Sequence, residues 1–140
     1  MPARVETMDA SGSRAPVLIV EDDPDLRFVH SEILSQEGYP VLTAADGVEA
    51  IELVERNGPP AVLLLDLRMP RMNGWDLAAR LRQHPAWRRI PIVVVAAHYR
   101  ISDEAAAIGA RAWLHKPVNM DDLVGVVRRI YAEHAAGGRA

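Results

Sequence analysis

Four polar side chains stand just past apolar runs that read as strands: Glu21 and Asp22 after Val17–Val20, Asp66 after Ala61–Leu65, and Lys116 beyond Ala112–Leu114. Three carboxylates gathered at one edge repel each other, which raises their pKa values or calls in a counter-ion, and oxygen ligands suit a hard divalent cation. Mg2+ is the natural candidate, because it takes one or two protein carboxylates, keeps several waters and completes its octahedron with phosphate oxygens. An ammonium on a neighbouring strand end, Lys116, would neutralise a phosphoryl oxygen as charge develops, leaving Asp66 as the nucleophile. Each residue alone has an ordinary use. Glu21-Asp22-Asp23 would make an acidic helix start, Asp66 would end a strand in a turn, and Lys116 would be a solvated surface residue. Their order and shared placement point to chemistry instead.

The elements that must position them follow from the apolar pattern. Short apolar runs alternate with longer segments of helical period, the pattern of a parallel sheet flanked by helices. Val17–Val20 is wholly aliphatic, as a strand covered on both faces requires. A helix follows with Asp23 as N-cap, Pro24 at its first position and Leu26, Val29, Ile33 and Leu34 on its apolar face, ending at Gly38. Val41–Ala45 is the second strand. Asp46 then caps a helix with Glu49 three residues on, and Asn57-Gly58 closes it. Ala61–Leu65 delivers Asp66 at the carboxyl end of the third strand. A loop with Met69-Pro70 and Asn73-Gly74 leads into a helix over Trp75–Gln83, which Pro85 stops. Ile92–Ala96 forms the fourth strand, a short helix spans Asp103–Ile108, and Ala112–Leu114 forms the fifth strand. The last helix starts at Met120 with Asn119 as cap and sets Leu123, Val126, Val127 and Ile130 on one stripe.

Right-handed crossovers leave few topologies for five such units, and an open doubly wound α/β sheet of order 2-1-3-4-5 is expected. Strands one and three are then neighbours at the switch point, where ligands sit outside the carboxyl ends of the strands. Glu21, Asp22 and Asp66 all fall there.

With 140 residues and 49% hydrophobic content, the sequence fits one globular domain, expected over residues 16–135, between a flexible leader at 1–15 and a flexible tail at 136–140. The formal net charge of -3 supplies no excess of positive charge for tracking a phosphate backbone or an anionic membrane, so direct nucleic-acid binding is not expected. The absence of cysteine agrees with a reducing, cytoplasmic setting. The longest aliphatic stretch, Ile92–Ala97, is far short of the roughly 20 residues of a spanning helix. The five histidines show no metal-binding spacing.

With these residues in place, the chain resembles the receiver domains of two-component response regulators. The resemblance rests on Glu21-Asp22 after the first strand, Asp66-Leu67-Arg68-Met69-Pro70 with Asn73-Gly74, and Lys116-Pro117. It covers about Pro16 to Ala135, and the four pieces in order are far more specific than any one of them. It implies a flavodoxin-like receiver fold in which Asp66 accepts a phosphoryl group with Lys116 beside it. Asp22, Asp66 and the backbone carbonyl of Arg68 would bind Mg2+, and Glu21 would act through coordinated water. The donor would be a sensor histidine kinase or a histidine phosphotransfer protein. The output would pass to a separate effector through the face formed by the fourth helix, the fifth strand and the last helix, and the resemblance also allows a homodimer. Catalysis would be limited to the protein's own phosphorylation and dephosphorylation. The Lys116-Pro117 bond would be cis.

Two positions depart from the family pattern. Ala96 stands where family members carry Thr or Ser, whose hydroxyl bonds a phosphoryl oxygen, and the stretch from Ala96 to Lys116 is about two residues shorter than usual, which leaves the fourth helix open. Trp113 holds the place of the switch aromatic and reads equally well as a packed sheet residue. Arg68 and His98 occupy positions that tune phosphoryl lifetime, and slow hydrolysis is expected from them. Trp75 and Trp87 read as packing or surface residues, and exposed Arg128 or Arg129 as candidates for a partner. Ala96 also motivates an alternative, a pseudo-receiver or scaffold acting by phosphorylation-independent contacts. An aspartate-nucleophile phosphatase would want an acid two residues after Asp66, where Arg68 stands, and a flavin's phosphate would be repelled by Glu21-Asp22-Asp23.

Overall fold

In the computed structural model, which describes residues 14–69, 71–97 and 100–137, with side chains up to residue 133, five strands alternate with five helices. In chain order these are β1 (Val17–Val20), α1 (Pro24–Gln36), β2 (Val41–Ala44), α2 (Gly47–Asn57), β3 (Val62–Asp66), α3 (Gly74–Gln83), β4 (Ile92–Ala96), α4 (Ile101–Ile108), β5 (Ala112–His115) and α5 (Met120–Gly137). All strand pairs are parallel, in the expected order β2-β1-β3-β4-β5.

The aliphatic runs make the sheet centre because each of β1, β3 and β4 is covered on both faces and buried throughout. Alternate residues serve two cores. Leu18, Val20, Leu63, Leu65, Val94 and Ala96 pack with Ile51 and Val54 of α2, Leu77 and Leu81 of α3, and Ile101 and Ala105 of α4. Val17, Ile19, Val62, Leu64 and Val93 pack with Leu34 of α1 and with Leu123, Val127 and Ile130 of α5.

The caps fall where local chemistry puts them. Asp23 accepts from the backbone N–H groups of Asp25 and Leu26, with Pro24 opening α1, and Asp46 accepts from Glu49 N at 2.9 Å. Asn73 also caps, accepting from Asp76 N at 2.9 Å, so α3 begins at Gly74, one residue before the expected start. The fourth helix forms despite the short connection. It begins at Ile101 and not Asp103, with no side-chain cap from Arg100 and with Asp103 and Glu104 in its first turn, where acidic side chains suit the helix dipole.

The apolar face of α1 differs from expectation. His30 is buried beside Leu34, whereas Val29 is largely exposed. Burial lowers the His30 pKa, with the Glu21 charge opposing and the Lys116 charge assisting. Trp113 is not packed in the sheet either. It sits opposite Val94 on edge strand β5 and is 49% exposed.

Arg14 and Ala15, which fall in the expected leader, are the first of the described residues, and the rest of that leader lies outside them. Ala15 is buried and its carbonyl accepts the hydroxyl of Tyr131, while the Arg14 guanidinium lies over the rings of Tyr39 and Tyr131 at 4.6 and 5.2 Å. No helix among the described residues is long and apolar enough to cross a membrane.

Candidate functional site

The register of the central strands assembles the site. Val20 lies opposite Leu65, and Asp66 lies opposite Val95, so Glu21 and Asp66 leave adjacent strand ends side by side. Lys116 follows β5, held to the end of β4 by its N–H, which donates to Ala96 O at 2.8 Å. Its bond to Pro117 is cis. The cleft these ends enclose, about 620 Å³, is lined by Glu21, Asp22, Asp66, Arg68, Ala96 and Lys116 among others.

Within it the carboxylates converge. Glu21, Asp22 and Asp66 each offer an oxygen, and these oxygens lie within 4.8 Å of one another. Glu21 and Asp66 are 3% and 5% exposed, so two acids share a nearly dry edge, while Asp22 faces solvent. Lys116 Nζ lies 3.0 Å from Glu21 Oε1 and 3.5 Å from Asp66 Oδ2. Asp66 Oδ1 also accepts the Arg68 N–H at 3.2 Å.

Burial is the largest force on Asp66, and the hydrogen bond and like charge of Glu21 add to it. Lys116 and the Arg68 N–H oppose them, and the pKa stands at about 7. For Lys116, burial favours the neutral amine, but the Glu21 hydrogen bond and the charges of Asp66 and Glu21 outweigh it and raise the pKa. One cation for two buried acids leaves the edge short of positive charge. An all-oxygen donor set with that deficit fits a hard divalent ion, and Glu21, Asp22 and Asp66 are the side chains that could hold it.

The loop after β3 is built to bring Asp66 to this edge. Gly74 packs so tightly under it that a Cβ there would lie 2.8 Å from both Asp66 O and Leu67 Cα, and the Gly74 N–H donates to Leu67 O at 3.1 Å. Asn73-Gly74 is thus a cap followed by a residue without a side chain, at the closest approach of α3 to β3. Arg71 has a φ of 62°, and its Nε donates to Asp46 Oδ2 at 2.7 Å, tying this loop to the start of α2. Burial would raise the Asp46 pKa, but the Glu49 N–H and Arg71 outweigh it and hold it below the usual carboxylate range.

Of the expected site residues, Glu21, Asp22, Asp66, Arg68, Ala96 and Lys116 are brought together. Trp113 is on the neighbouring edge strand, facing outward. His98, with Pro70 of the Met69-Pro70 pair, lies outside the described residues. Arg128 pairs with Glu37 at 3.6 Å and so is engaged within the chain. Two contributors carry no sequence signal. Arg71 acts through a left-handed backbone that its residue type does not announce, and Arg27 donates to the backbone carbonyls of Glu21 and Asp22.

Comparison with known proteins places this geometry. The response regulator receiver domain family matches residues 17–128. A 14.6 kDa protein of Leptolyngbya boryana is 36% identical over 115 residues, covering 81% of this chain and 87% of that protein. The transcriptional regulatory protein TcrA of Mycobacterium tuberculosis is 34% identical over 81% of this chain, which spans only 45% of TcrA. Among solved structures, the Vibrio cholerae chemotaxis protein CheY4 superposes with a TM-score of 0.76 at 32% identity, over 83% of this chain and 98% of its own.

Proposed function

This chain belongs to the response regulator receiver domain family, and from that membership we propose that it is a phosphoacceptor switch whose Asp66 takes a phosphoryl group in a Mg2+-dependent step. The observation that carries the reading is the convergence of Glu21, Asp22, Asp66 and Lys116 at one strand edge, with Asp66 buried and its pKa held near 7 by burial and Glu21.

A bound Mg2+ would supply charge neutralisation for the carboxylates and for the phosphoryl oxygens, held by Asp22, Asp66 and the Arg68 carbonyl, with Glu21 reached through water. The chain's own groups do the rest. Ionised Asp66 attacks phosphorus as the N–P bond of the donor phosphohistidine breaks and its electron pair stays with the imidazole. The Arg68 N–H fixes one carboxylate oxygen for that approach, at 3.2 Å from Asp66 Oδ1. Lys116 stands within 3.5 Å of the other oxygen and meets the charge that develops. Burial of the edge limits water at the acyl phosphate, and Arg68 and His98 are the residues assigned to phosphoryl lifetime.

The donor is a sensor histidine kinase or a phosphotransfer protein, in a cytoplasmic setting, and the output passes by protein contact to an effector or a second copy through α4, β5 and α5. No enzymatic activity beyond the chain's own phosphorylation and dephosphorylation is assigned. Ala96 favours a second reading, a scaffold acting without phosphorylation, but such a protein has no need for the retained carboxylates and Lys116.

The test is to incubate the protein with a small phosphodonor and Mg2+ and to measure intact mass. A single phosphoryl adduct, lost with EDTA and absent in Asp66→Asn, is the expected result. No adduct from either a small donor or a phosphohistidine protein would sink the proposal.

A further inference from the structure

Asp22 is the exposed member of the acidic trio, and no hydrogen bond or ion pair reaches its carboxylate among the described residues. No partner holds that carboxylate, so the backbone of Glu21 and Asp22 sets where its Cβ starts and which rotamers bring it beside Asp66. That backbone is clamped on both sides. The Glu21 N–H donates to Ala44 O at 3.0 Å, which ties the segment to β2. From the other side, Arg27 Nη1 donates to Glu21 O at 2.8 Å and reaches Asp22 O at 3.4 Å. Arg27 lies one turn into α1, where its own N–H is bonded to Asp23 O at 2.9 Å, so the guanidinium extends from a helix already anchored by the Asp23 cap.

The Glu21 carboxylate has partners of its own, the Asp23 N–H at 3.2 Å and Lys116 at 3.0 Å, so resting on the Mg2+-dependent reading above, we infer that Arg27 is a positioning residue of the cation site, holding the Glu21 and Asp22 carbonyls so that the backbone carrying the Asp22 carboxylate stays beside Asp66. The guanidinium makes no contact with a carboxylate oxygen of the trio and occupies none of the donor atoms a cation would use. It orders the peptide units that carry them, as outer-shell groups do in other metal sites.

The direction of the effect separates positioning from simple charge. Arg27 is a cation beside an anionic cluster, so by Coulomb's law alone its removal would tighten Mg2+ binding. Positioning predicts the reverse. Arg27→Met keeps the hydrocarbon stem against α1 and removes both the charge and the donors. Arg27→Lys keeps the charge and one point donor, but on a shorter, unbranched stem without the planar guanidinium whose Nη1 serves both carbonyls.

The experiment is a melting titration of the full chain with MgCl2, which reads metal-free stability and Mg2+ affinity together, since a ligand that binds only the folded state raises Tm with its concentration. In Arg27→Met the Kd for Mg2+ is expected to rise about tenfold, with the metal-free Tm little changed, and Arg27→Lys is expected to recover part of the affinity. Unchanged or tighter binding in Arg27→Met overturns the inference, as does a fall in metal-free Tm that Arg27→Lys restores without restoring affinity. If the unsubstituted protein shows no Mg2+-dependent rise in Tm, the Mg2+-dependent function itself fails, and the role of Arg27 with it.

Discussion

The Lys116 ammonium lies nearer to Glu21 than to Asp66, 3.0 Å from Glu21 Oε1 against 3.5 Å from Asp66 Oδ2. Asp66 therefore shares its cation with a second buried acid, which helps to hold its pKa near 7. Replacing that acid with a neutral amide, Glu21→Gln, removes the like charge and frees Lys116 for Asp66. The Asp66 pKa, followed by NMR titration of its carboxyl carbon, is expected to fall by about one unit or more. A midpoint that stays near 7 would show that burial alone sets it.

The same displaced pKa makes stability depend on pH. In the unfolded chain Asp66 titrates as an ordinary carboxylate, with a pKa of about 4, whereas in the folded protein its pKa is raised to about 7. Between those values the folded state holds the extra proton, so this residue's contribution falls as pH rises and is least favourable above pH 7. Asp66→Asn, neutral at every pH, should melt about 3–8 °C above the unsubstituted protein at pH 8 in EDTA. The gap should narrow as the pH is lowered to 5. Added Mg2+ should raise the Tm of the unsubstituted protein more than that of Asp66→Asn.

Asp46 caps α2 and also receives Arg71, two roles that substitution can separate. Asn is as good a cap as Asp but carries no charge for the guanidinium. By equilibrium unfolding, Asp46→Ala is expected to cost about 2 kcal/mol, since cap and ion pair go together, and Asp46→Asn less than about 1 kcal/mol. Equal losses would place the whole effect in the ion pair.

Much of this architecture is legible in the residues. The uninterrupted aliphatic runs of β1, β3 and β4 require cover on both faces, and their abrupt ends at Glu21 and Asp66 already mark a polar edge. Asp23, Asp46 and Asn119 announce their helices through cap chemistry that acts within a few residues. What stays hidden depends on contacts distant in sequence. Arg71 meets Asp46 across 25 positions, and the outward face of Trp113 follows from Ala112 and Leu114 taking the core side of β5, which leaves Trp113 on the other face of the pleat. His30 on the buried side of α1 defeats an apolar pattern because a histidine counts as polar in any such reading. The start of α4 has no cap to announce it.

Gly74 allows a sharp test of the loop geometry. A Cβ at this position would lie 2.8 Å from Asp66 O and Leu67 Cα, both backbone atoms of the segment that presents Asp66, so the strand end or the helix must move. Gly74→Ala should cost about 1–3 kcal/mol in unfolding experiments. It should also lower the rate of adduct formation at Asp66 in the protein that remains folded. A destabilised variant that phosphorylates at the normal rate would show that α3 yields and Asp66 stays in place.

In the proposed switch, Ala96 would separate accepting a phosphoryl group from responding to it. Its methyl lines the cleft at the end of β4, where its carbonyl holds the Lys116 N–H, and it has no donor for a phosphoryl oxygen. Attack by Asp66 does not involve this residue, so adduct yield should be the same in Ala96→Thr. The added hydroxyl would supply a hydrogen bond to a charged group, about 1.5–3 kcal/mol, that forms only after phosphorylation. That energy would pull on the segment leading into α4, and Trp113 on the adjoining strand is exposed enough to report it by fluorescence. The expected outcome is a small change on phosphorylation of the unsubstituted protein and a clearly larger one in Ala96→Thr. Equal changes in the two proteins would mean that the switch runs through Lys116 and the β5 edge without help from position 96.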